Sequence, residues 1–286
     1  MGAGPARLVL VGTPIGNLED LSPRVAAAFA AADVLACEDT RRTGRLLAHL
    51  GLRVPRLVRF DDHAEPTAAP ELLRTVREGG VVAVASDAGM PALSDPGARL
   101  VAMAAEEGLT VEVVPGPFAG AVGLVASGLL DPSGRFCFEG FLPRKGAARA
   151  ERLAELVGER RTIVLYEAPH RLERTLGDLA DTLGADRRTA LCRELTKLHE
   201  EVWRGTLGEA IEHCAATAPR GEYVVVVDGS APPPEVPDDV LRDELRTELT
   251  HGASRRDAAA AVAQRHGIAP NRVKRLLHAL DGPRTP

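Results

Sequence analysis

Four short apolar runs, at residues 8–11, 34–37, 81–85 and 111–114, each give way to glycine, proline and small polar residues before a helix-like segment begins. Runs of this length, rich in Val, Leu and Ala and bounded by turn-forming residues, read as strands. Their alternation with helical stretches dictates an α/β layer fold with several parallel strands. In open sheets of that kind, ligands bind outside the carboxyl ends of the strands. Residues 86–97, Ser-Asp-Ala-Gly-Met-Pro-Ala-Leu-Ser-Asp-Pro-Gly, follow the run at 81–85 directly. So many small residues at the end of a buried strand read as an open loop and a candidate site.

Three other loops occupy equivalent places. Residues 12–20, Gly-Thr-Pro-Ile-Gly-Asn-Leu-Glu-Asp, have neither the GxGxxG spacing of a dinucleotide site nor the Lys-Ser/Thr ending of a P-loop. Pro14 and Gly16 there shape a rigid turn that brings backbone close to a ligand or to another domain. Residues 37–44, Cys-Glu-Asp-Thr-Arg-Arg-Thr-Gly, allow two readings. Asp39 or Thr40 caps the following helix, or Arg41 and Arg42 meet a phosphate, whose oxygens a guanidinium fork matches. Val114-Pro-Gly-Pro-Phe-Ala-Gly120 is the last of the set, with amides and carbonyls available for backbone recognition. His63, in the stretch at 60–65, is a possible proton acceptor or an incidental surface histidine.

A second segment, residues 126–229, carries its own strand-like runs at 136–139, 162–166, 189–193 and 223–227, arguing for a second α/β sheet after a first domain at 1–125. Its loops hold Arg144 and Lys145 beside three phenylalanines, the Tyr166-Glu-Ala-Pro-His-Arg stretch, and Arg193-Glu-Leu-Thr-Lys197. Basic groups at a loop start suit a phosphodiester. Trp203, the single tryptophan, either stacks on a base or seals the core. The proline-rich stretch 230–239 cannot continue a sheet or helix and marks a linker. Beyond it, residues 240–286 contain a capped helix starting at Ser254, a break at Gly267 and a second helix with Arg272, Lys274 and Arg275. This reads as a helix-turn-helix-like module, or equally as a small packing or dimerisation module.

Composition narrows the class. With 45% hydrophobic residues over 286 positions, the chain can bury ordinary cores in two domains and an appendage. No apolar run approaches the roughly 20 residues of a membrane span, and the N-terminal residues show no secretory pattern, so a cytoplasmic protein is expected. Cys37, Cys137, Cys192 and Cys214 lack CxxC pairing, and reduced thiols with no metal site are expected. The net charge is −5, yet residues 240–286 hold nine Lys or Arg against five Asp or Glu. A basic tail on an acidic body fits a locally touched anionic partner, or a solvated helical face.

Taken in order, TPIGNLEDL, CEDTRRTG, SDAGMPALSDPG, VPGP, FEGFLPRKG, YEAPHR and RELTK resemble the bacterial small-subunit ribosomal RNA cytidine 2′-O-methyltransferases of the tetrapyrrole methylase superfamily. The resemblance runs from about residue 8 to 229, and the small C-terminal module matches as well. It implies two α/β domains with S-adenosylmethionine in the cleft between them, usually as a homodimer. The implied substrate is a decoding-centre cytidine of 16S rRNA within the assembled small ribosomal subunit. Carried over motif by motif, cofactor contacts fall on Pro14, Asp87, Ala88, Gly89, Ser94, Pro115, Gly116, Pro117, Tyr166 and Glu167. RNA contacts fall on Arg41, Arg42, Arg144, Lys145, Arg193 and Lys197.

The chain departs from the usual pattern at Phe118 and Ala119, where a serine is common, at Ala64, where an asparagine is common, and at Met90, where a threonine is common. At Phe118 and Ala119 a side-chain contact to the cofactor is lost while backbone contacts survive, and at Met90 one hydroxyl contact is lost. Methylating a ribose hydroxyl needs in-line attack and a group to draw off the proton, and no metal. Glu38, Asp39, Glu139 and Lys197 are the base or orienting candidates, with Glu38 or Asp39 expected near the hydroxyl. Two other functions compete: a tetrapyrrole C-methyltransferase, which shares the fold and cofactor site, and a noncatalytic RNA-binding assembly factor.

Overall fold

Strands β1 (Arg7–Val11), β2 (Val34–Cys37), β3 (Leu57–Arg59), β4 (Val81–Ala85) and β5 (Val111–Val114) form one parallel sheet in the order β3-β2-β4-β1-β5. The structure is a computed structural model and describes residues 5–231 and 236–280. β1, β2 and β4 are covered on both faces, which is why they read as unbroken apolar runs. Leu8, Leu10, Val82 and Val84 face α3 (Glu65–Arg77) and α4 (Ala98–Glu106). Val9, Val11, Ala83 and Ala85 face α1 (Pro23–Ala31) and α2 (Thr40–His49). Because all five strands run the same way, the loops at 12–20, 38–39, 60–64, 86–97 and 115–118 gather at one edge.

The second sheet is mixed, with the order β6-β7-β10-β8-β9. β6 (Phe136–Phe141) runs parallel to β7 (Thr162–Glu167), while β10 (Tyr223–Val227) lies antiparallel between β7 and β8 (Arg188–Arg193), and β9 (Glu201–Thr206) closes the edge. One face packs on α6 (Ala147–Leu156), α7 (Pro169–Leu183) and α8 (Leu207–Ala216). The other face, with Val164, Ala190, Cys192, Val224 and Val226, packs on α5 (Ala119–Ser127). A first domain ending at residue 125 would contain most of α5. In the fold this helix serves the second sheet, because its glycines admit the sheet's side chains. A Cβ on Gly123 would sit 2.7 Å from Val224 Cγ1.

Two strands escaped the sequence reading. β3 has only three residues, and β9 is an edge strand of mixed polarity, so neither shows a buried run. Trp203 on β9 is half-buried against the core and stacks on His213, with centroids 5.0 Å apart. The core-sealing alternative describes it. No disulfide joins the four cysteines, three of which are buried.

A compact unit ends at Ser230 and a second begins at Ala231. The second has three helices rather than two: α9 (Asp238–Thr250), α10 (Arg255–His266) and α11 (Pro270–Ala279), around Leu241, Leu245, Val262, Val273 and Leu277. α9 begins inside the stretch assigned to the linker, since Pro237 leads into it and Asp238 and Asp239 fill its first turn, where carboxylates favour the helix dipole. Ser254 caps α10, accepting from the Asp257 N–H, and Gly267 ends it in a left-handed conformation, as expected. Arg272, one of the three basic residues noted on α11, pairs with Asp238 at 2.7 Å. The spacer's residues 232–235, the N-terminal residues 1–4 and the tail residues 281–286, on which part of the charge count rests, lie outside the described residues.

Candidate functional site

Backbone-to-backbone packing builds the first half of the site. Thr13 and Gly89 exchange two hydrogen bonds, of 2.9 and 3.1 Å, fastening the turn after β1 to the loop after β4. The Pro115–Pro117 turn lies so close to Gly12 that a Cβ there would meet Gly116 N at 2.5 Å. Met90, which stands where a hydroxyl is common, accepts the Gly116 N–H on its sulfur at 3.2 Å, so the departure has a structural role. Glu65 accepts the N–H groups of Gly97 and Leu100 at the start of α4, tying down the far end of the 86–97 loop.

Within that loop, Ala92 and Ser94 have φ of 70° and 67°, a region that non-glycine residues enter at an energetic cost and that recurs at functional sites. Asp87 sits at the centre of a web of contacts. Its N–H donates to Glu38 Oε1 at 2.9 Å, its Oδ1 accepts the Asp39 N–H at 3.0 Å, and its Oδ2 lies 3.4 Å from Arg42. The ends of β2 and β4 are thereby locked together through carboxylates that face one another.

Loops of the second sheet supply the other half. Glu194 and Thr196, with φ of 50° and 65°, are the remaining described non-glycine residues in the left-handed region. Thr196 Oγ1 accepts the Asn17 N–H at 3.1 Å and lies against Gly16, where a Cβ would be 2.8 Å away. The rigid turn expected around Pro14 and Gly16 therefore approaches the other half of the molecule. Lys197 Nζ bridges Glu194 at 2.9 Å and Glu222 at 2.8 Å. Phe118 packs edge-on against Phe138, with centroids 4.8 Å apart, and Phe138 packs in turn on Tyr166 at 5.0 Å. The Phe118 ring also covers Gly120, whose N–H donates to the Tyr166 hydroxyl at 3.1 Å. An aromatic side chain is accommodated there because a glycine lies beneath it.

Behind the aromatic wall runs a buried polar network. Glu167, with a side chain 1% exposed, accepts from Thr175 Oγ1 at 2.6 Å and pairs with Arg171 at 3.1 Å. Arg149, with a side chain 4% exposed, donates to Thr175, to Asp178 and to the carbonyl of Pro143. Arg171 donates to the carbonyl of Leu142. Together these arginines hold the loop that presents Arg144 and Lys145. Arg149→Ala is expected to destabilise the protein by about 2 kcal/mol, because the buried Thr175 hydroxyl and the Pro143 carbonyl lose their partner and the half-buried Asp178 loses its cation. A urea midpoint shift equivalent to less than about 0.5 kcal/mol would show the network to be dispensable.

Between the two halves lies a cavity of about 480 Å³, inside the roughly 300–1,000 Å³ typical of small-molecule sites. Its wall is apolar at Ile15, Met90, Phe118 and Leu195 and carries the carboxylates Glu38, Asp87 and Asp95. Burial, followed by repulsion from Glu38, pushes the Asp95 carboxyl up to about 7, against which a Ser86 hydrogen bond acts only partly. Burial raises Glu38 too. Tyr166 is pushed up to about 12, chiefly by burial, and stays a neutral phenol. This size, with apolar walls, a phenol and clustered carboxylates, suits a ligand of nucleoside dimensions carrying a positive centre, as S-adenosylmethionine does.

Of the residues singled out in the sequence, Glu38, Arg42, Asp87, Ala88, Gly89, Ser94, Tyr166, Glu167 and Lys197 line this cavity. Pro115, Gly116 and Pro117 line a neighbouring recess with Val122 and Thr196, and Pro14 lines a third. Asp39 caps α2 and forks with Arg41, which holds its carboxyl well below the usual range. It is outside the cavity, and the capping alternative describes it. Glu139 is the extra residue of a bulge in β6, where it pairs with Arg152 and accepts from the Cys137 thiol. Glu139 is also absent from the cavity wall. Arg193 pairs with Glu201, and His63 stays on the surface. Asp95 was not singled out, although the loop contains two Ser-Asp steps and both aspartates meet in the cavity.

Residues 7–211 match the sequence profile of the tetrapyrrole (corrin/porphyrin) methylases. The chain is 48% identical over 261 residues to the ribosomal RNA small subunit methyltransferase I of Mycobacterium bovis, covering 91% of this chain and 90% of that protein. It is 44% identical over 259 residues to the methyltransferase of the same name from Synechocystis sp., covering 90% and 92%. The solved uroporphyrin-III C-methyl transferase from Thermus thermophilus, complexed with S-adenyl homocysteine, superposes with a TM-score of 0.55 at 21% identity. That match covers 78% of this chain and 97% of the other, a likeness of fold.

Proposed function

Because the chain belongs to the tetrapyrrole methylase family and, within it, to the ribosomal RNA small subunit methyltransferases I, we propose that its cavity methylates the ribose 2′-hydroxyl of a decoding-centre cytidine in 16S rRNA, using S-adenosylmethionine. The observation that carries this reading is the meeting of Asp95, Glu38 and Asp87 with Arg42 and Lys197 around one cavity. When bound, the cofactor supplies an electrophilic methyl group on a sulfonium centre. The carboxylates favour that positive charge, and the apolar wall of Ile15, Met90 and Leu195 excludes water from it.

Asp95 accepts the hydroxyl proton in this reading. A carboxyl near 7 is a better acceptor for an alcohol than one in the ordinary range, and about half of it is ionised at neutral pH. Glu38 keeps the Asp87 backbone in place through its 2.9 Å hydrogen bond and adds negative charge beside Asp95. Lys197 and Arg42 line the cavity and are its cations for the sugar-phosphate, and the family resemblance adds Arg144, Lys145, Arg41 and Arg193 as RNA contacts. The homodimer and the cytoplasmic assembled subunit belong to the same reading, carried by the family resemblance.

The test is transfer of labelled methyl from S-adenosylmethionine to small subunits lacking the modification, beside naked rRNA and a tetrapyrrole precursor, with nuclease mapping of the product. Label in a ribose-methylated cytidine of assembled subunits is expected. Label in the tetrapyrrole alone would overturn the rRNA reading, and binding to subunits without any transfer would favour an assembly factor.

A further inference from the structure

We propose that the recess beside the cavity, between α2 and the turn after β1, is a subsite for a backbone phosphate of the RNA strand flanking the target nucleotide. The inference rests on the rRNA reading above and adds a subsite to it. The recess holds about 230 Å³ and is bounded on one side by Pro14, Gly16 and Leu18. On the other side stand Arg42, Arg45 and His49, at spacings of three and four residues, which places them on one face of α2.

Two of these groups are uncommitted. The side chains of Arg45 and His49 make no hydrogen bond or ion pair with other described residues. Most other arginines in this part of the molecule are paired: Arg41 with Asp39, Arg56 with Glu71, Arg59 with Asp61 and Arg77 with Glu107. The one acidic group in the recess wall, Asp87, is already engaged by Arg42 and by the Asp39 N–H. An unpaired guanidinium in a concave site with its acid neutralised concentrates anions, and its fork matches the oxygens of a phosphodiester.

Continuity sets which phosphate is bound. Arg42 and Asp87 line both the recess and the cavity, so a strand with its target ribose in the cavity runs its backbone directly past Arg45. Sequence-specific enzymes on RNA act on unstacked single strands, whose phosphates are free to be held in this way.

The experiment compares wild type with Arg45→Glu and Arg45→Lys in methyl transfer to small subunits at several salt concentrations, with binding of S-adenosylhomocysteine measured alongside. Arg45 is exposed, so the charge reversal leaves the fold intact. Arg45→Glu is expected to raise KM for subunits about fivefold, to lower kcat by less than twofold, and to reduce the salt slope of log KM by about one. Arg45→Lys should retain the wild-type salt slope, and cofactor affinity should match wild type in both variants. Unchanged KM and salt slope in Arg45→Glu, with the wild type active on RNA, would overturn the subsite alone. A wild type that transfers no methyl to RNA would overturn the functional reading and the subsite with it.

Discussion

Asp95→Asn is expected to lower kcat for subunit methylation by 10²- to 10⁴-fold, the range usual for losing a positioned proton acceptor. The wild-type rate should rise with pH through about 7, as the Asp95 carboxyl ionises, and the variant should lose that rise. The same substitution is expected to stabilise the fold at alkaline pH. The folded-state value of about 7 lies above the ordinary value of 3.8, so between them the folded protein binds more protons than the unfolded chain. The stability that protonated Asp95 contributes is therefore fully present below about pH 4 and is lost as pH rises through 7. An amide carries no such dependence. Asp95→Asn should raise Tm by about 3 °C at pH 8, after allowance for the partial exposure of the group, and by little at pH 4. Turnover within threefold of wild type would remove Asp95 as the proton acceptor, and Glu38→Gln would then be the variant to show the loss.

Gly12→Ala is the second large effect, expected to cost about 3 kcal/mol of stability and to weaken cofactor binding at least tenfold. The added Cβ would lie 2.5 Å from Gly116 N, 2.6 Å from Gly116 Cα and 2.7 Å from Met90 Sδ. Two of these are backbone atoms, so no rotamer change relieves the contact. The Pro115–Pro117 turn has to move, and Met90 and the Gly89 bridge to Thr13 move with it. A urea midpoint should report the loss at unchanged m, and calorimetry with S-adenosylhomocysteine should report the weaker binding. A midpoint shift equivalent to less than about 0.5 kcal/mol would mean that the two turns separate easily.

Much of this architecture was legible before any coordinates. β1, β2 and β4 are covered on both faces, so their sequences are apolar throughout and their ends are marked by glycine and proline. The carboxyl edge followed from that, and so did the importance of the 86–97 loop. Ser254 and Gly267 announced the ends of α10 because caps are local chemistry. α9 did not announce itself, since its first residues, Asp238 and Asp239, continue a proline-rich stretch and resemble spacer. Glu38 and Asp39 are adjacent carboxylates, yet Asp39 caps a helix and Glu38 lines the cavity.

The chain's own order of residues determined which segments become strands, where the loops collect, and that small residues must stand where backbones meet, as at Gly12. Those properties arise from sterics and from apolar periodicity over a few residues. Which carboxylate holds its proton, which arginine stays unpaired and which helix serves which sheet were decided only by tertiary structure. Asp95 owes its raised value to burial and to Glu38, which arrives from a different strand. Gly16, from a loop of the first sheet, meets Thr196, from a loop of the second, and α5 packs on a sheet whose strands all follow it in the sequence. Desolvation and charge repulsion depend on what surrounds a group in space, and contacts between residues so far apart in the chain leave no local pattern to read.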